Sequence, residues 1–494
     1  MAGYLLGYDI GSSAIKAALV EVGSGAAVAS AVSPADELPI QAPRPGWAEQ
    51  DPEMWWTHVC AATRQLGAAY PAALRSVRAI GLSYQMHGLV LLDRVLRVLR
   101  PAILWCDSRA VDIGRQAFQA LGAPLCMRRL LNSPGNFTAS KLKWVKDNEP
   151  EVFARVHKAM LPGDYVALRM TGEAVTTPAG LSEGILWDSQ ADGVADMLLA
   201  HYGIPPTYIP PLAEVFSVQG LLRSDAAGEL GLPAGIPLAY RSGDQPNNAL
   251  SLNVMEPGEV AATAGTSGVI YAVSDTPRAD LQGRVNTFLH VNHQRRRPRY
   301  GTLLCINGAG SLYRWLRHTV MAPATDYADM NRLAATAPIG ADGLSLLPFG
   351  NGAERLLQDR HTGARLDGLD FNRHTRAHLL RAAHEGIVFA LHHGLQMMRG
   401  LGLETRSVRA AAANLFLSPL FCSAFAALTG TRLELYDTDG AQGAARAAGL
   451  GAGLYRDAHV ALGGQHQQRS VEPDPGALPA YREAYERWCS VFDL

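Results

Sequence analysis

Two separated stretches of the chain share one pattern of hydrophobic and polar positions. Each consists of a short apolar run, a turn of glycine and hydroxyl residues, and a second apolar run. Apolar runs joined by such a turn predict β-hairpins, with Gly11 supplying a left-handed backbone conformation in the first. The two copies are Tyr4 to Ile10, Gly11-Ser12-Ser13 and Ala14 to Val22, and then Glu259 to Ala264, Gly265-Thr266-Ser267-Gly268 and Val269 to Val273.

The two turns also carry the elements of a phosphate site. Backbone N–H groups in such a turn can converge on phosphate oxygens, and Asp9, just before the first turn, can hold a hydrated Mg²⁺. An ordinary hairpin is the alternative for either copy taken alone. Because the pattern recurs at the start of each half of the chain, it favours duplicated domains that bind a nucleotide. The sequence contains no GxxxxGK[ST] phosphate loop and no HRD or DFG motif of protein kinases.

A polar run rich in glycine, proline and asparagine, Arg241 to Ala249, lies near the midpoint of the chain. Its carboxylate, Asp244, is expected in a turn at a domain junction, where it can act as a general base in a cleft. An Asx turn in a linker is the alternative. A chain of 494 residues is too long for one compact core. We therefore expect two domains, residues 1–252 and 253–494, the second beginning with a linker.

Capping signals and amphipathic periodicity place several helices. Asp51-Pro52 is a helix start and predicts a helix over Glu53 to Leu66. A long amphipathic helix is expected over Ala377 to Arg399. Further helices are expected over Phe153–Lys158, Tyr165–Met170, Ala191–His201 and Tyr481–Leu494.

Composition and charge are those of a soluble globular protein and argue against two classes of partner. The chain is 48% hydrophobic and 18% charged, with a net charge of −1. So small a net charge gives no reason to expect nucleic acid or an anionic membrane as a partner. The six cysteines have no CxxC spacing, which is typical of reduced thiols. No leader peptide or membrane-spanning run is recognised, so we expect a cytoplasmic protein.

The segment Gln85-Met86-His87-Gly88 follows an apolar strand predicted over Val77 to Leu82. Ligands bind at the ends of strands in α/β sheets. His87 can exchange hydrogen bonds with a sugar hydroxyl, and Met86 offers a soft apolar wall. A buried histidine whose hydrogen bonds stay within the protein is the alternative.

These and several further motifs resemble those of the FGGY carbohydrate kinases and, within that family, the xylulokinase branch. DIGSS at Asp9 to Ser13, Asp244 in its Gly/Asn setting and the GTSG turn follow the order and spacing of the family. The resemblance runs from about residue 4 to about residue 455, and QMHG is its most specific part. The other matching segments are Leu99–Arg109, Asn136–Leu142, Leu161–Tyr165 and Met170–Glu173.

The resemblance implies an α/β fold of duplicated actin/hexokinase-type (ribonuclease H-like) domains with an interdomain catalytic cleft. It implies ATP-dependent phosphorylation of a ketopentose, first of all D-xylulose to D-xylulose 5-phosphate, with Asp244 as general base. Asp9 is then expected to hold Mg²⁺ through water. The implied sugar-binding residues are Met86, His87, Trp105 and Asp107, and the implied phosphate-binding residues are Gly11, Ser12, Ser13, Gly265, Thr266 and Ser267. For Trp105, core packing is the alternative.

One departure from the family concerns its glycine-rich adenosine loop. The run Ala410 to Ala413, followed by Asn414, occupies that place, so Ala411 and Asn414 are the implied adenosine contacts. Glycine allows the backbone to approach the adenine closely, whereas alanine adds a methyl group and disfavours positive φ. Two outcomes are open: nucleotide affinity falls, or the loop uses ordinary dihedral angles.

Other functions stay open on the sequence alone. A sugar-binding or regulatory homologue that has lost catalysis is suggested by the alanine run, but the intact Asp9, Asp244 and GTSG argue against it. An ATPase of the same superfamily, such as a chaperone, is a further class. Among kinases, ribulose and glycerol are alternative substrates. Relatives often form dimers, yet no helix here has a convincing exposed apolar face. A monomer and a homodimer are therefore the two alternatives.

Overall fold

The computed structural model describes residues 3–494 and divides into two compact units. The first unit contains the chain up to Met255, together with Thr287–Tyr300 and Thr438–Gln465. The second contains Glu256–Asn286, Gly301–Asp437 and His466–Leu494. Each unit is therefore assembled from segments that are distant in the sequence. Within residues 3–494, no helix combines the length and the apolar character that crossing a membrane requires.

A six-stranded mixed sheet forms the centre of the first unit. Its strands pair in the order β5-β6-β4-β1-β2-β3, with β1, β4 and β6 mutually parallel and the other pairs antiparallel. The strands are β1 (Tyr4–Ile10), β2 (Ile15–Glu21), β3 (Ala27–Ser33), β4 (Val77–Tyr84), β5 (Phe216–Leu221) and β6 (Pro237–Gly243).

A helix of small residues, Gly440–Gly451, packs closely on this sheet because two strand glycines face it. A Cβ atom on Gly7 would lie 1.9 Å from the carbonyl oxygen of Ala441, and one on Gly81 would lie 2.1 Å from that of Ala444. Backbone therefore contacts backbone, and a larger side chain at either glycine would push the helix away. This close packing brings the start of the helix to the edge of the sheet where β1 and β4 end.

Both predicted hairpins are present. In the first, Ile10 pairs with Ile15 across the turn, and in the second, Ala264 pairs with Gly268. The prediction that Gly11 has a left-handed conformation is wrong, since its φ does not lie in the positive region. Glycine is needed there for space instead: a Cβ atom on Gly11 would lie 2.9 Å from the carbonyl oxygen of Ala14.

The central polar run is a strand end and a helix start, so both the predicted turn at a domain junction and the alternative of an Asx turn in a linker are wrong. Arg241 to Gly243 complete β6, and the helix Asp244–Ser251 begins at once. Pro246 fits near the helix start, where a backbone N–H has no intrahelical partner. The polar composition that indicated a turn is that of a helix N-terminus.

Predicted helices in the first unit are confirmed where capping signals were strong. The helix Pro52–Ala69 begins with the Asp51 side chain accepting a hydrogen bond from the Glu53 N–H at 3.0 Å. The helix predicted over Phe153–Lys158 is wrong, because Lys158–Met160 pairs as a strand with Val90–Leu92. The remaining helices are Pro71–Arg75, Val111–Leu121, Ala123–Arg129, Thr138–Asn148, Pro150–Phe153, Pro162–Thr171, Pro178–Glu183, Asp196–Tyr202, Ser224–Leu230 and Ala458–Leu462.

The second unit has its own mixed sheet and a long central helix. Six of its strands are β7 (Glu259–Ala264), β8 (Gly268–Ser274), β9 (Tyr300–Ile306), β10 (Ser407–Ala411), β11 (Leu433–Tyr436) and β12 (Gln467–Val471), which pair in the order β9-β8-β7-β10-β11-β12. The predicted long helix is confirmed as Arg376–Gly400, and a buried ion pair of 2.7 Å joins Arg381 to Glu385 along it. The other helices are Ala309–Thr319, Tyr327–Ala334, Pro419–Thr429 and Leu478–Phe492.

Candidate active site

The three parallel strands of the first unit end together at one edge of the sheet. Ile10 of β1 lies level with Tyr84 of β4, and Tyr84 lies level with Gly243 of β6. Ligand sites of α/β proteins form outside the carboxyl ends of such strands. The fold therefore brings Asp9, the Met86-His87 segment and Asp244 to a common edge, as the strand-end argument predicts.

Asp244 is a half-buried carboxyl group in the first turn of its helix. Loss of solvent around it raises its pKa from 3.8 to about 7, with the charge of Asp9 as the second cause. Hydrogen bonds from Gln245 act in the opposite direction. A carboxyl group with a pKa near neutrality can accept a proton at neutral pH and release it again, which is what a general base requires.

Asp9 lies at the end of β1 and is likewise half-buried. The Ser83 hydroxyl donates a hydrogen bond of 2.8 Å to it. Burial raises the pKa of Asp9, Lys16 and Ser83 lower it, and the neighbouring carboxylate of Asp439 raises it. Asp439, which sequence reasoning did not single out, caps the helix Gly440–Gly451 by accepting from the Gln442 N–H at 2.9 Å.

The carboxylates of Asp9 and Asp439 have the chemistry of a magnesium site with few protein ligands. Among residues 3–494, no group of three or more His, Cys, Asp or Glu side chains is arranged to hold a metal directly. Mg²⁺ takes oxygen ligands and keeps several of its waters, so a small number of carboxylates suits it. Gly440 leaves room beside Asp9, since a Cβ atom there would lie 2.8 Å from Oδ2 of Asp9.

His87 has a fixed orientation at the end of β4. Its backbone φ is 61°, an uncommon value outside glycine, and its Nδ1 lies 2.8 Å from the carbonyl oxygen of Glu183. A carbonyl only accepts, so Nδ1 carries the proton, and in the neutral ring Nε2 is an acceptor. The rings of Phe137 and Phe288 pack against the imidazole at centroid distances of 4.7 and 5.5 Å.

Trp105 links the sugar-site prediction to the hairpin turn. Its side chain is 51% exposed, so the alternative of core packing does not describe it. Its indole N–H donates to the Ser12 hydroxyl at 3.3 Å. The turn itself is closed by a bond of 3.1 Å from the Gly11 N–H to the Ala14 carbonyl. An exposed aromatic face and the predicted phosphate turn are thus adjacent.

Asp107 is completely buried, and both of its carboxylate oxygens accept hydrogen bonds from the protein. The Ala48 N–H donates at 2.6 Å, and the Arg109 guanidinium donates at 2.7 and 2.9 Å. These bonds make Asp107 an anchor of the loop that carries Trp105. Its direct contact with a sugar stays a prediction.

Lys141 is a buried residue that sequence reasoning gave no role. Its ammonium group donates to the carbonyl oxygens of His87 at 2.8 Å and Leu104 at 2.7 Å. Burial lowers its pKa to about 7. One side chain therefore connects the loop of Met86 and His87 to the loop of Trp105. The only signal in the sequence was its place in the matching segment Asn136–Leu142.

A cavity of about 400 Å³ in the second unit lies beside the second hairpin turn. Gly265, Thr266 and Asn414, three of the residues expected to bind the nucleotide, line it, whereas Ser267 and Ala411 are not among its lining residues. The helix Ala309–Thr319 fixes the turn, because the Gly310 N–H donates to the Gly265 carbonyl at 2.8 Å. The other lining residues are Ala264, Gly310, Ser311, Tyr313, Arg314, Tyr327, Ala328, Asn331, Leu415 and Leu417.

The alanine run uses ordinary dihedral angles, which is one of the two outcomes left open by the sequence. None of the residues 410–413 has a positive φ, and Ala413 is extended with φ −146° and ψ 162°. The left-handed position is Asn414, with φ 54°. Asparagine tolerates this conformation better than most residues other than glycine. The loop thus turns at Asn414 and needs no glycine before it.

Comparison with known families decides the relationship. The model of the N-terminal domain of the FGGY family of carbohydrate kinases matches residues 4–251, and that of the C-terminal domain matches residues 260–452. The chain belongs to the FGGY family of carbohydrate kinases. As an FGGY kinase it is a phosphotransferase, and the family implies ATP as the phosphate donor.

Individual relatives of this FGGY kinase include several xylulose kinases. That of Escherichia coli (strain K12) is 31% identical over 500 residues, which cover 98% of each chain. That of Klebsiella pneumoniae is 32% identical over 410 residues, covering 82% of this chain and 80% of the relative. The crystal structure of xylulose kinase from Rhodospirillum rubrum has a TM-score of 0.86 and 28% identity, over 99% of this chain and 98% of that one. The expected two-domain α/β fold is thereby confirmed.

The left-handed conformation of Asn414 gives a first prediction for this FGGY kinase. Asn414→Val should raise the KM for ATP by about tenfold, since a β-branched residue at positive φ costs about 1–2 kcal/mol and displaces the loop. Asn414→Gly should stay within about threefold of the wild type. Ala413→Val is the matched control, because the extended backbone there accepts valine. Equal KM values for all three variants would show that the loop does not contribute to nucleotide binding.

Proposed function

We propose that the protein catalyses the ATP-dependent phosphorylation of a ketopentose, D-xylulose giving D-xylulose 5-phosphate, with Asp244 as general base. The observation that carries the proposal is the common edge where Asp244 and the Met86-His87 segment meet at the ends of parallel strands. The identity of about 31% to xylulose kinases over nearly the full length supports this sugar over others.

In this proposal, the sugar is held in the first unit by groups of different chemistry. Nε2 of His87 accepts a hydrogen bond from a sugar hydroxyl, since Nδ1 is committed to the Glu183 carbonyl. Met86, which is buried, provides an apolar wall, and the exposed face of Trp105 covers the carbon skeleton. Asp107 and Lys141 hold the two loops in register. A rigid arrangement of this kind fixes the orientation of the reacting hydroxyl.

Asp244 then accepts the proton of the terminal sugar hydroxyl as that oxygen attacks the γ-phosphorus of ATP. The O–P bond to the sugar forms while the bond to the ADP oxygen breaks, and the proton resides on the carboxylate. Phosphoryl transfer needs positioning and charge stabilisation more than covalent chemistry from the protein. The N–H groups of the Gly11-Ser12-Ser13 turn can stabilise phosphate oxygens.

Asp9, with Asp439 beside it, is the proposed holder of hydrated Mg²⁺. When bound, the cation offsets the negative charge of the β- and γ-phosphates. The protein contributes two oxygen ligands near each other and the space that Gly440 leaves beside them. The adenosine is proposed to occupy the cavity of the second unit beside Gly265, Thr266 and Asn414.

A dependence on pH follows from the raised pKa of Asp244. As a base, Asp244 must be ionised before the sugar binds, so kcat/KM should rise with pH and level off above about 7. Below that value, kcat/KM should fall about tenfold for each pH unit. Initial rates from pH 5 to 9, with saturating MgATP and limiting sugar, measure this acid limb, the part of the profile in which kcat/KM rises with pH. A flat profile down to pH 5 would exclude Asp244 as the titrating base.

The substrate is tested by coupled ADP release with MgATP on a panel of D-xylulose, D-ribulose, L-ribulose, L-xylulose and glycerol. The highest kcat/KM is expected for D-xylulose. A maximum on ribulose or glycerol would keep the kinase and replace its substrate. Folded protein that turns over no sugar but still binds one, measured by calorimetry, would support the alternative of a catalytically impaired sugar-binding homologue.

A further inference from the structure

Glu183 carries a buried carboxyl group and lies between the loop of Met86 and His87 and the proposed base Asp244. It is the last residue of the helix Pro178–Glu183 and is 2% exposed. Its carbonyl oxygen accepts the 2.8 Å hydrogen bond that orients His87. The main chain of Glu183 therefore sets which imidazole nitrogen can accept from a ligand.

The side chain of Glu183 contacts the residue before Asp244. A Cβ atom on Gly243 would lie 2.2 Å from Oε2 of Glu183 and 2.6 Å from Cγ of Met86. The Glu183 carboxyl group thus fills the space that a side chain at position 243 would take. Through this contact it supports the start of the helix that carries Asp244, and the Glu183 and Met86 side chains both lie against Gly243.

The charges around Glu183 do not balance an ionised carboxylate. Neither of its oxygens receives a hydrogen bond of normal geometry from the residues that the structure describes, although the phenol of Tyr84 is close enough to act as a weaker hydrogen-bond partner. The nearby cation, Arg241, is paired with Asp164 at 3.1 Å. The titratable groups that interact with Glu183 or form its surroundings are Tyr84, His87, Asp164, Arg241 and Asp244.

Burial raises the pKa of Glu183 well above its usual range, and the carboxylate of Asp244 is the second cause. A buried carboxylate beside another carboxylate takes up a proton, because the cost of keeping it charged exceeds the cost of protonation. The hydrogen bond from the Tyr84 phenol acts in the opposite direction but is a smaller cause than burial. When two carboxyl groups interact, one of them stays protonated while the other ionises. The half-buried Asp244, which faces more solvent, is the one that ionises.

We propose that Glu183 is a positioning residue of the sugar-phosphorylating site, which works as a neutral carboxylic acid behind Asp244 and His87. The inference rests on the proposed function. A neutral acid can donate a hydrogen bond to the phenol oxygen of Tyr84 and leaves the single negative charge on the base. An ionised Glu183 would add a second negative charge close to the incoming γ-phosphate, which a phosphoryl-transfer site avoids.

Two substitutions separate the neutral acid from a merely space-filling side chain. Glu183→Gln keeps the size and a donor without a charge, so kcat and the pH profile should stay within about threefold of the wild type. Glu183→Leu keeps the volume but removes the donor, so kcat should fall about tenfold to a hundredfold. Glu173→Gln, at an exposed position of the same unit, is the matched control. Full activity of Glu183→Leu would overturn the positioning role.

A spectroscopic measurement tests the protonation without relying on turnover or on the Leu variant folding. The infrared difference spectrum between the wild type and Glu183→Gln at pH 7.5 should contain the C=O stretch of a protonated carboxylic acid. A carboxylate signal in its place, with the acid limb of kcat/KM moved to lower pH in Glu183→Gln, would overturn the inference. If no sugar is phosphorylated, the proposed function fails, while the infrared band still reports on Glu183 separately.

Discussion

Replacement of Asp244 by asparagine is expected to lower kcat by about 10²–10⁴-fold, the usual contribution of a positioned general base. The amide preserves the shape and the hydrogen-bonding position in the first helical turn but cannot accept the proton of a sugar hydroxyl. In the proposed function, sugar binding relies on His87 and its neighbours, so the KM for the sugar should change by less than about threefold. Steady-state kinetics with MgATP and D-xylulose at pH 8 measure both parameters.

The stability of the Asp244→Asn variant should move in the opposite direction from its activity. The pKa of Asp244 rises from 3.8 to about 7 on folding, so ionisation of this group lowers the free energy of unfolding as the pH increases between those values. Removing the charge should therefore leave Tm at pH 8 unchanged or higher. Asp225→Asn, at a solvent-exposed first turn of another helix in the same unit, is the matched control and should change neither quantity. Turnover of Asp244→Asn at the wild-type rate would contradict the assignment of Asp244 as the general base.

Local sequence was enough to predict the two hairpins and the strand end at which Met86 and His87 lie. A repeated apolar–turn–apolar pattern identified both hairpins, and an apolar run before Gln85 placed Met86 and His87 at a strand end. These inferences needed only neighbours in the chain, and the sheet confirmed them. The resemblance added the expected roles of Asp244 and of the turn at Gly265, which local pattern alone left undecided.

The residues that sequence reasoning missed share another property: their partners are distant in the chain. Glu183 contacts His87 and Gly243, Lys141 connects His87 to Leu104, and Asp439 lies near Asp9. No periodicity or spacing encodes such contacts, because they depend on how segments tens to hundreds of residues apart pack. The effect of burial and of neighbouring charges on the pKa of these side chains can be judged only once the sheet and its covering helices are known.

Local composition also led to wrong predictions where two kinds of local structure, such as a turn and a helix start, favour the same residue types. Glycine, asparagine and proline indicated a turn at Asp244, yet the same residues suit the start of a helix. Gly11 was interpreted through its freedom at positive φ, whereas the fold uses its lack of a side chain beside Ala14. In the alanine run, missing glycines suggested a strained loop, but residues 410–413 have ordinary dihedral angles and the positive φ is at Asn414.

Replacement of Asp9 by asparagine is expected to change three measurements together. First, kcat/KM with MgATP should fall by at least about 10²-fold, because the carboxylate that can hold the hydrated cation is lost. Second, the Mg²⁺ concentration for half-maximal rate should rise by about tenfold. Third, the acid limb of the residual activity should move to lower pH, since the charge of Asp9 is one of the causes that raise the pKa of Asp244.

The matched control for Asp9→Asn is Asp439→Asn, which removes a neighbouring negative charge that is not among the causes of the raised pKa of Asp244. Asparagine caps a helix as well as aspartate does, so the helix Gly440–Gly451 should keep its N-terminus and its packing on Gly7. We expect this variant to weaken Mg²⁺ dependence less than Asp9→Asn and to leave the acid limb in place. If Asp9→Asn lowered activity with an unchanged Mg²⁺ dependence and an unchanged acid limb, Asp9 would be a structural residue of the strand end, and neither the metal nor the base would depend on its charge.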